Sequence, residues 1–145
     1  MLRTAIFMLL LTCNAAALTE LRTIPTRPGV TLEFLAMTPE KRAGLDALIL
    51  FPGGNGAGAF KVTDNGVVSG WNFLVRSSDL FVENGLSLFT VSPPSDHNTG
   101  MSTGFRESSE HAEDILYLTD YLERSGYDRI FLVGNSRGTL SAAAI

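Results

Sequence analysis

The stretch Ile130-Phe131-Leu132-Val133-Gly134-Asn135-Ser136-Arg137-Gly138 decides the predicted fold of this chain, and the helix-forming residues 139–145 follow it. The apolar run predicts a buried parallel strand, so a sharp turn must join this strand to the helix. The turn has the pattern G-x-S-x-G, in which a serine takes a strained backbone conformation and side chains at the two glycines would collide with the neighbouring backbone. The pattern predicts an exposed Ser136 hydroxyl beside the unpaired amides that begin a helix. An ordinary strand-to-helix turn with an uninvolved serine is the alternative.

A second glycine-rich segment follows another apolar run. Residues 47–51 predict a central strand, and the next eight residues, 52–59, hold four glycines. Because ligands of open α/β sheets bind beyond the carboxyl ends of the strands, this segment is predicted to form part of a binding crevice. Residues 54–59 also satisfy the relaxed dinucleotide pattern G-x-G-x-x-A. That site needs a helix opening directly on the glycines, and the turn residues in 64–70 argue against such a helix.

The two segments together resemble the α/β-hydrolase superfamily, over most of the chain from about residue 30 onward. The arginine after the serine and the loop Pro94-Ser95-Asp96-His97 are similar to an uncharacterised bacterial branch of it. The resemblance implies a mostly parallel central sheet flanked by helices, with Ser136 as the nucleophile. It also implies an oxyanion hole formed by the backbone N–H of Arg137 and by that of Gly54 or Asn55, which would stabilise the negative charge that develops in acyl transfer.

The catalytic base and acid are not evident in this sequence. A serine hydroxyl needs a histidine to accept its proton and a carboxylate to orient that histidine. The resemblance implies that both follow the serine in chain order, yet only nine residues follow Ser136. We therefore expect residues 18–145 to be the amino-terminal part of a hydrolase domain whose carboxyl-terminal part is missing, and we expect this fragment to be inactive. A finished small α/β module, which would unfold in one sharp cooperative transition, is the alternative.

The chain has only two histidines, and neither is predicted to be the base. Asp96 and His97 are neighbours in a polar loop, where adjacent side chains diverge and cannot orient each other. They are predicted to line the pocket, with His97 as a base the weaker alternative. His111, on the next helix, is predicted to be solvated or packed. With two isolated histidines and one cysteine, no metal site is expected, and no cofactor either.

The remaining periodicity predicts alternating strands and helices. Residues 18–29 are polar and interrupted by proline, and residues 30–37 predict an antiparallel edge strand. Helices are predicted over 71–83 and 109–124, and a strand over 86–91. This alternation predicts parallel central strands with right-handed crossovers.

The first 17 residues differ from the rest of the chain in their sequence pattern. Arg3 precedes an apolar run over 5–11, and Ala15-Ala16-Ala17 offers a cleavage site, which together predict a secretory signal peptide. The apolar run is too short for a membrane anchor, so the sequence predicts a secreted or periplasmic protein. Lipid attachment at Cys13 is the alternative, although Thr12 is larger than the residue that usually precedes such a cysteine.

The amino-acid composition limits the classes of binding partner that are expected. The 145 residues are 45% hydrophobic and 18% charged, with a net charge of -4, which gives no reason to expect nucleic acid or an anionic membrane as a partner.

The sequence and the resemblance together predict a serine hydrolase that acts on a small-molecule ester, or less readily an amide, through an acyl-enzyme. A non-catalytic ligand-binding protein with the same fold is the alternative.

Overall fold

The computed structural model describes residues 17–63, 66–70 and 72–145. The strands are β1 (Leu18–Pro25), β2 (Thr31–Thr38), β3 (Asp46–Phe51), β4 (Phe60–Thr63), β5 (Gly66–Ser69), β6 (Ser87–Val91) and β7 (Arg129–Gly134). The helices are α1 (Phe73–Arg76), α2 (Ser78–Glu83), α3 (Thr103–Arg106), α4 (Ser109–Arg124) and α5 (Gly138–Ala144), with a single 3-10 turn over Ser95–His97. Residues 1–16 of the predicted signal peptide, Cys13 among them, lie outside the described residues.

The main sheet has five strands in the order β1-β2-β6-β3-β7. Strand β6 is the middle strand, and its neighbour β3 pairs in parallel with both β6 and β7, whereas β2 pairs antiparallel with β1 and β6. The sheet is therefore mixed, and its three parallel strands end at the same edge. The predicted α/β class, with parallel central strands flanked by helices, is confirmed.

The predicted edge position of β2 is wrong, although its antiparallel direction is confirmed. Residues 18–25, expected to be an irregular polar segment, form β1 and pair with β2 along its whole length. The side chains of β1 that turn toward the protein are Glu20, Arg22 and Ile24, each only half-buried. An edge strand that buries so little apolar surface lacks the alternation by which strands are recognised.

Helices pack on both faces of the sheet and give it two apolar cores. On one face, Ile115, Leu118 and Leu122 of α4 lie against Phe34 and Phe89 of the sheet. On the other face, Leu74 of α1 and Val82 of α2 pack against Leu35, Leu50 and Leu88. Since β3 and β6 are covered on both faces, their carboxyl ends and the loops beyond them form an accessible edge. The predicted burial of residues 130–133 is wrong, because β7 is an edge strand and Phe131 is 47% exposed.

The helix predicted over 71–83 is divided into α1 and α2. Asn72 caps α1 by accepting a hydrogen bond from the Leu74 N–H, and the chain leaves α-helical geometry at Ser77, whose φ is -93° and ψ 1°. Trp71 lies outside the described residues. Within the part of the chain that the structure describes, no helix is both long enough and apolar enough to cross a membrane.

Candidate active site

The G-x-S-x-G turn joins the end of β7 to the start of α5 and places Ser136 at its tip. Ser136 has a φ of 51°, and it is the only non-glycine residue with a positive φ among those described. A Cβ atom at Gly134 would lie 2.4 Å from the Gly138 carbonyl oxygen, and one at Gly138 would lie 2.0 Å from the Phe51 carbonyl oxygen. Both glycines are therefore required by close backbone contacts.

Ser136 opens into a cleft of about 510 Å³ at the carboxyl edge of the sheet. Its side chain is exposed, and its hydroxyl has no hydrogen-bond partner in the described parts of the chain. The lining residues come from the glycine-rich segment, the start of α1 and the turn itself: Gly53, Gly54, Asn55, Ala57, Gly58, Ala59, Asn72, Phe73, Asn135 and Ser136. The two segments singled out in the sequence thus form opposite walls of one cleft.

The glycine-rich loop is held in place by Asn55. The Asn55 side chain accepts a hydrogen bond from the Ala57 N–H at 3.1 Å and donates one to the Thr99 carbonyl at 3.1 Å. The backbone carbonyl of Asn55 accepts a hydrogen bond from the Met101 N–H at 2.7 Å. The polar groups of Asn55 other than its N–H are therefore occupied, which leaves the backbone amide available.

Three amides near the serine hydroxyl are free. The backbone N–H groups of Gly54, Asn55 and Arg137 make no hydrogen bond to any residue in the described ranges. Gly54 and Asn55 line the cleft, and Arg137 directly follows Ser136. Free amides on two walls of one cleft can stabilise an oxyanion.

Asp96 and His97 are not among the residues that line this cleft. Asp96 forms an ion pair with Arg27 at 3.0 Å, and Arg27 also donates to the buried carboxylate of Asp114. The ring of His97 stacks on Phe105 with 3.7 Å between the ring centroids. Both side chains are thus engaged with neighbours other than Ser136.

His111 is packed rather than solvated. It is 1% exposed, and neither ring nitrogen has a hydrogen-bond partner among the described residues. The rings of Phe51 and Phe105 lie 6.1 Å and 5.5 Å from its own. Burial, together with the positive charge of Arg106, lowers the pKa of His111 to about 4, so the ring is neutral at pH 7.

Arg106, which sequence reasoning did not single out, lies fully buried beneath the cleft. Its guanidinium donates to the Ser141 hydroxyl at 2.8 Å and to the Pro52 carbonyl at 3.1 Å, and more weakly to the Gly54 carbonyl at 3.4 Å. Burial and the charge of Arg137 lower the pKa of Arg106. Nothing in the local sequence distinguishes this arginine from an exposed one, because its partners are two backbone carbonyls and a hydroxyl distant in the chain.

The described residues contain no group of three or more histidine, cysteine, aspartate or glutamate side chains that could hold a metal ion. The glycine-rich loop leads into β4 and not into a helix, so the arrangement of a dinucleotide site is not formed here.

No protein-family model and no curated protein matches this sequence. Solved structures do match. A cold-adapted esterase from an Arctic intertidal metagenomic library aligns with a TM-score of 0.60 at 15% identity, covering 87% of this chain and 53% of that one. An α/β serine hydrolase homologue from Coxiella burnetii aligns with a TM-score of 0.58 at 20% identity, covering 86% and 55%. Brefeldin A esterase, a bacterial homologue of human hormone sensitive lipase, aligns with a TM-score of 0.57 at 22% identity, covering 97% and 37%.

These matches confirm the α/β-hydrolase fold over most of the chain. The chain spans about half the length of the first of these structures.

Proposed function

We propose that this chain, which has the α/β-hydrolase fold, carries the nucleophile of a serine hydrolase that cleaves carboxylic esters through an acyl-enzyme on Ser136. The observation that carries the proposal is the strained, exposed Ser136 at the wall of a cleft whose opposite wall offers free backbone amides. Strain of about 1–3 kcal/mol at one residue persists where the surrounding structure fixes it, and such residues cluster at functional sites.

In the proposed reaction the Ser136 oxygen attacks the ester carbonyl carbon while a histidine accepts the hydroxyl proton. The carbonyl oxygen becomes an oxyanion and is held by the N–H of Arg137 and the N–H of Gly54 or Asn55. The histidine then donates the proton to the departing alcohol, which leaves the acyl group on Ser136, and water releases that group by the same steps. Loss of one oxyanion donor typically raises the barrier by about 2.7–4 kcal/mol.

The histidine and the carboxylate are proposed to belong to a longer parent protein. The His97 ring is stacked on Phe105, and the buried His111 ring makes no hydrogen bond to any described residue, so neither ring is bonded to Ser136. The similar esterase structure is about twice as long as the part that this chain matches. On this proposal, residues 18–145 are the amino-terminal part of the domain and are inactive alone.

The substrate is proposed to be a small, uncharged ester, with an amide less favoured. The described residues that line the cleft carry no charged side chain, and Phe73, which is 58% exposed, offers an aromatic surface at the wall. A cleft of about 510 Å³ lies within the range of small-molecule sites. With a net charge of -4 and no basic patch, nucleic acid is not proposed as a partner.

Secretion is proposed from the sequence of residues 1–17, with cleavage after Ala17. Amino-terminal sequencing of the exported parent protein tests this. A start at Leu18 agrees with the proposal, whereas a lipidated Cys13 at the amino terminus contradicts it.

A fluorophosphonate probe on the parent protein tests the nucleophile. We expect labelling of the unaltered protein and of Ser109→Ala, which removes an exposed hydroxyl on α4, but no labelling of Ser136→Ala. Equal labelling of the two variants would remove Ser136 from its role. If the parent protein neither reacts with the probe nor hydrolyses p-nitrophenyl esters, the alternative of a non-catalytic binding protein is favoured, because the cleft beside Ser136 could hold a ligand without turnover.

A further inference from the structure

Arg106 lies beneath the cleft and forms hydrogen bonds to both of its walls. Its guanidinium donates to Pro52 and Gly54 in the glycine-rich loop and to Ser141 in α5, the helix that follows the serine turn. Ser141 is also fully buried. One side chain therefore joins the loop that offers Asn55 to the helix that begins beside Arg137.

The bond from Arg106 to the Gly54 carbonyl, at 3.4 Å, bears on the direction of one loop amide. No cis peptide occurs among the described residues, and in a trans peptide the C=O and the following N–H point in opposite directions. Because the Gly54 carbonyl is directed at Arg106, the N–H of Asn55 is directed away from it. Asn55 lines the cleft, and its N–H is one of the amides left free there.

The packing around Arg106 leaves it little freedom to move. A Cβ atom at Gly56 would lie 3.1 Å from the Arg106 guanidinium nitrogen Nη2 and 2.9 Å from Met101 Cε. Gly56 has a φ of 82°, which further favours glycine at this position. The loop backbone thus lies directly against the guanidinium group.

The charge of Arg106 has no carboxylate partner within the described part of the chain. The ion pairs of the described residues involve Arg22, Arg27, Arg124 and Arg129. A buried charge that serves stability alone is usually paired with an opposite charge, whereas Arg106 Nε has no hydrogen-bond partner among the residues that the structure describes. A cation held beneath an oxyanion site stabilises the negative charge that develops there.

We propose that Arg106 is a positioning residue of the oxyanion hole, which holds the Asn55 amide toward the cleft and ties the loop to the helix after Ser136. This inference rests on the proposed function. In this proposal Arg106 contacts neither the substrate nor Ser136. The loop donor of the oxyanion hole is assigned to the N–H of Asn55 rather than to that of Gly54.

The test compares Arg106→Met and Arg106→Lys in the parent protein with Arg22→Met as the matched control. Arg22 also donates hydrogen bonds, to Glu20 and Tyr121, but it lies on β1, away from the cleft. Hydrolysis of p-nitrophenyl acetate is measured per active site titrated with fluorophosphonate, so that misfolded protein does not contribute. The inhibition constant of a trifluoromethyl ketone, which forms an oxyanion on the serine, is measured in parallel.

We expect Arg106→Met to lower kcat per titrated site by about 10- to 100-fold with little change in KM, because a full oxyanion donor is worth about 10²- to 10³-fold. The inhibition constant should rise in proportion to the fall in kcat/KM. Arg106→Lys keeps the charge but not the planar fork, so an intermediate loss of about 3- to 10-fold is expected. Arg22→Met should leave kcat per titrated site unchanged.

Unchanged turnover per titrated site in Arg106→Met would overturn the proposal, even if the variant were less stable. If Arg106→Met does not fold, the same result in Arg106→Lys overturns it. Failure of the proposed function itself gives a different pattern, since the unaltered protein and Ser136→Ala would then behave alike before any Arg106 variant is compared.

Discussion

Gly53 and Ser136 face each other so closely that a Cβ atom on Gly53 would lie 3.2 Å from the Cβ atom of Ser136. The same added atom would lie 3.0 Å from the Asn135 carbonyl oxygen, which belongs to the backbone and cannot rotate aside. Contact between the glycine-rich loop and the serine turn is therefore direct. The spacing of the two walls of the cleft depends on the absence of a side chain at Gly53.

Gly53→Ala is expected to lower kcat/KM of the parent protein about tenfold, because the turn must shift by a few tenths of an ångström and a 1 Å misplacement typically costs about 10²-fold. Esterase assays with titrated active sites measure this effect. Gly44→Ala is the matched control, since a Cβ atom there meets nothing within 4 Å. Equal loss in both variants would show that the close contact is not the cause.

Gly138→Ala is expected to reduce the free energy of unfolding of the parent protein by about 3 kcal/mol or more, because overpacking against backbone cannot be relieved by rotamer changes. The added Cβ atom would lie 2.0 Å from the Phe51 carbonyl oxygen, at the end of β3. Urea titration followed by circular dichroism measures the loss. Gly104→Ala, in α3 with open space around it, should show no loss. A stable Gly138→Ala protein would contradict the turn geometry.

The G-x-S-x-G turn and the parallel strand before it could be predicted from sequence because local sterics and an apolar run indicate them. The burial of that strand could not, because it depends on the position of β7 at the edge of the sheet. Gly134 and Gly138 are each within 2.4 Å of backbone when a Cβ is added, which is the collision that the pattern implies. The loop at residues 52–59 could be placed for a related reason, since the end of a buried parallel strand fixes the edge to which it belongs. These two predictions thus depend on residues that are close together in the sequence.

The features that could not be predicted depend on contacts distant in the chain. Strand β1 pairs with β2 through backbone hydrogen bonds, which leave little trace in its side chains. On α4, Leu116 is 56% exposed, whereas Leu118 is buried. Arg106 is buried by partners 35 and 54 residues away, Ser141 and Pro52. No short-range pattern encodes that burial.

The strain at Ser136 predicts a difference in stability between two variants of this residue. The left-handed conformation costs about 1–2 kcal/mol for a residue with a Cβ atom and little for glycine. Ser136→Gly should therefore have a free energy of unfolding about 1 kcal/mol higher than Ser136→Ala, although both lack the hydroxyl. Urea titration of the parent protein measures the difference. At Ser125, where φ is -84°, the same pair of substitutions should give the opposite sign, with glycine the less stable. Equal signs at the two positions would rule out backbone strain at Ser136.

The buried His111 ring predicts a loss of stability in acid. Its pKa falls from the ordinary value of 6.5 to about 4 because burial disfavours the charged form and Arg106 adds repulsion. Between these values the unfolded chain binds a proton that the folded chain does not, so protons stabilise the unfolded state. The contribution of His111 is fully present above pH 6.5 and is lost as the pH falls through about 4. At about 1.4 kcal/mol for each pKa unit, the loss amounts to about 3 kcal/mol.

His111→Phe tests this by replacing the ring with one that cannot be protonated, among the aromatic neighbours Phe51 and Phe105. We expect the free energy of unfolding of this variant to fall less than that of the unaltered protein between pH 7 and pH 4. His97→Asn, which removes the half-buried histidine stacked on Phe105, should retain the full acid loss because His111 is still present. If His97→Asn loses the pH dependence and His111→Phe keeps it, the buried neutral ring is not what weakens the fold in acid.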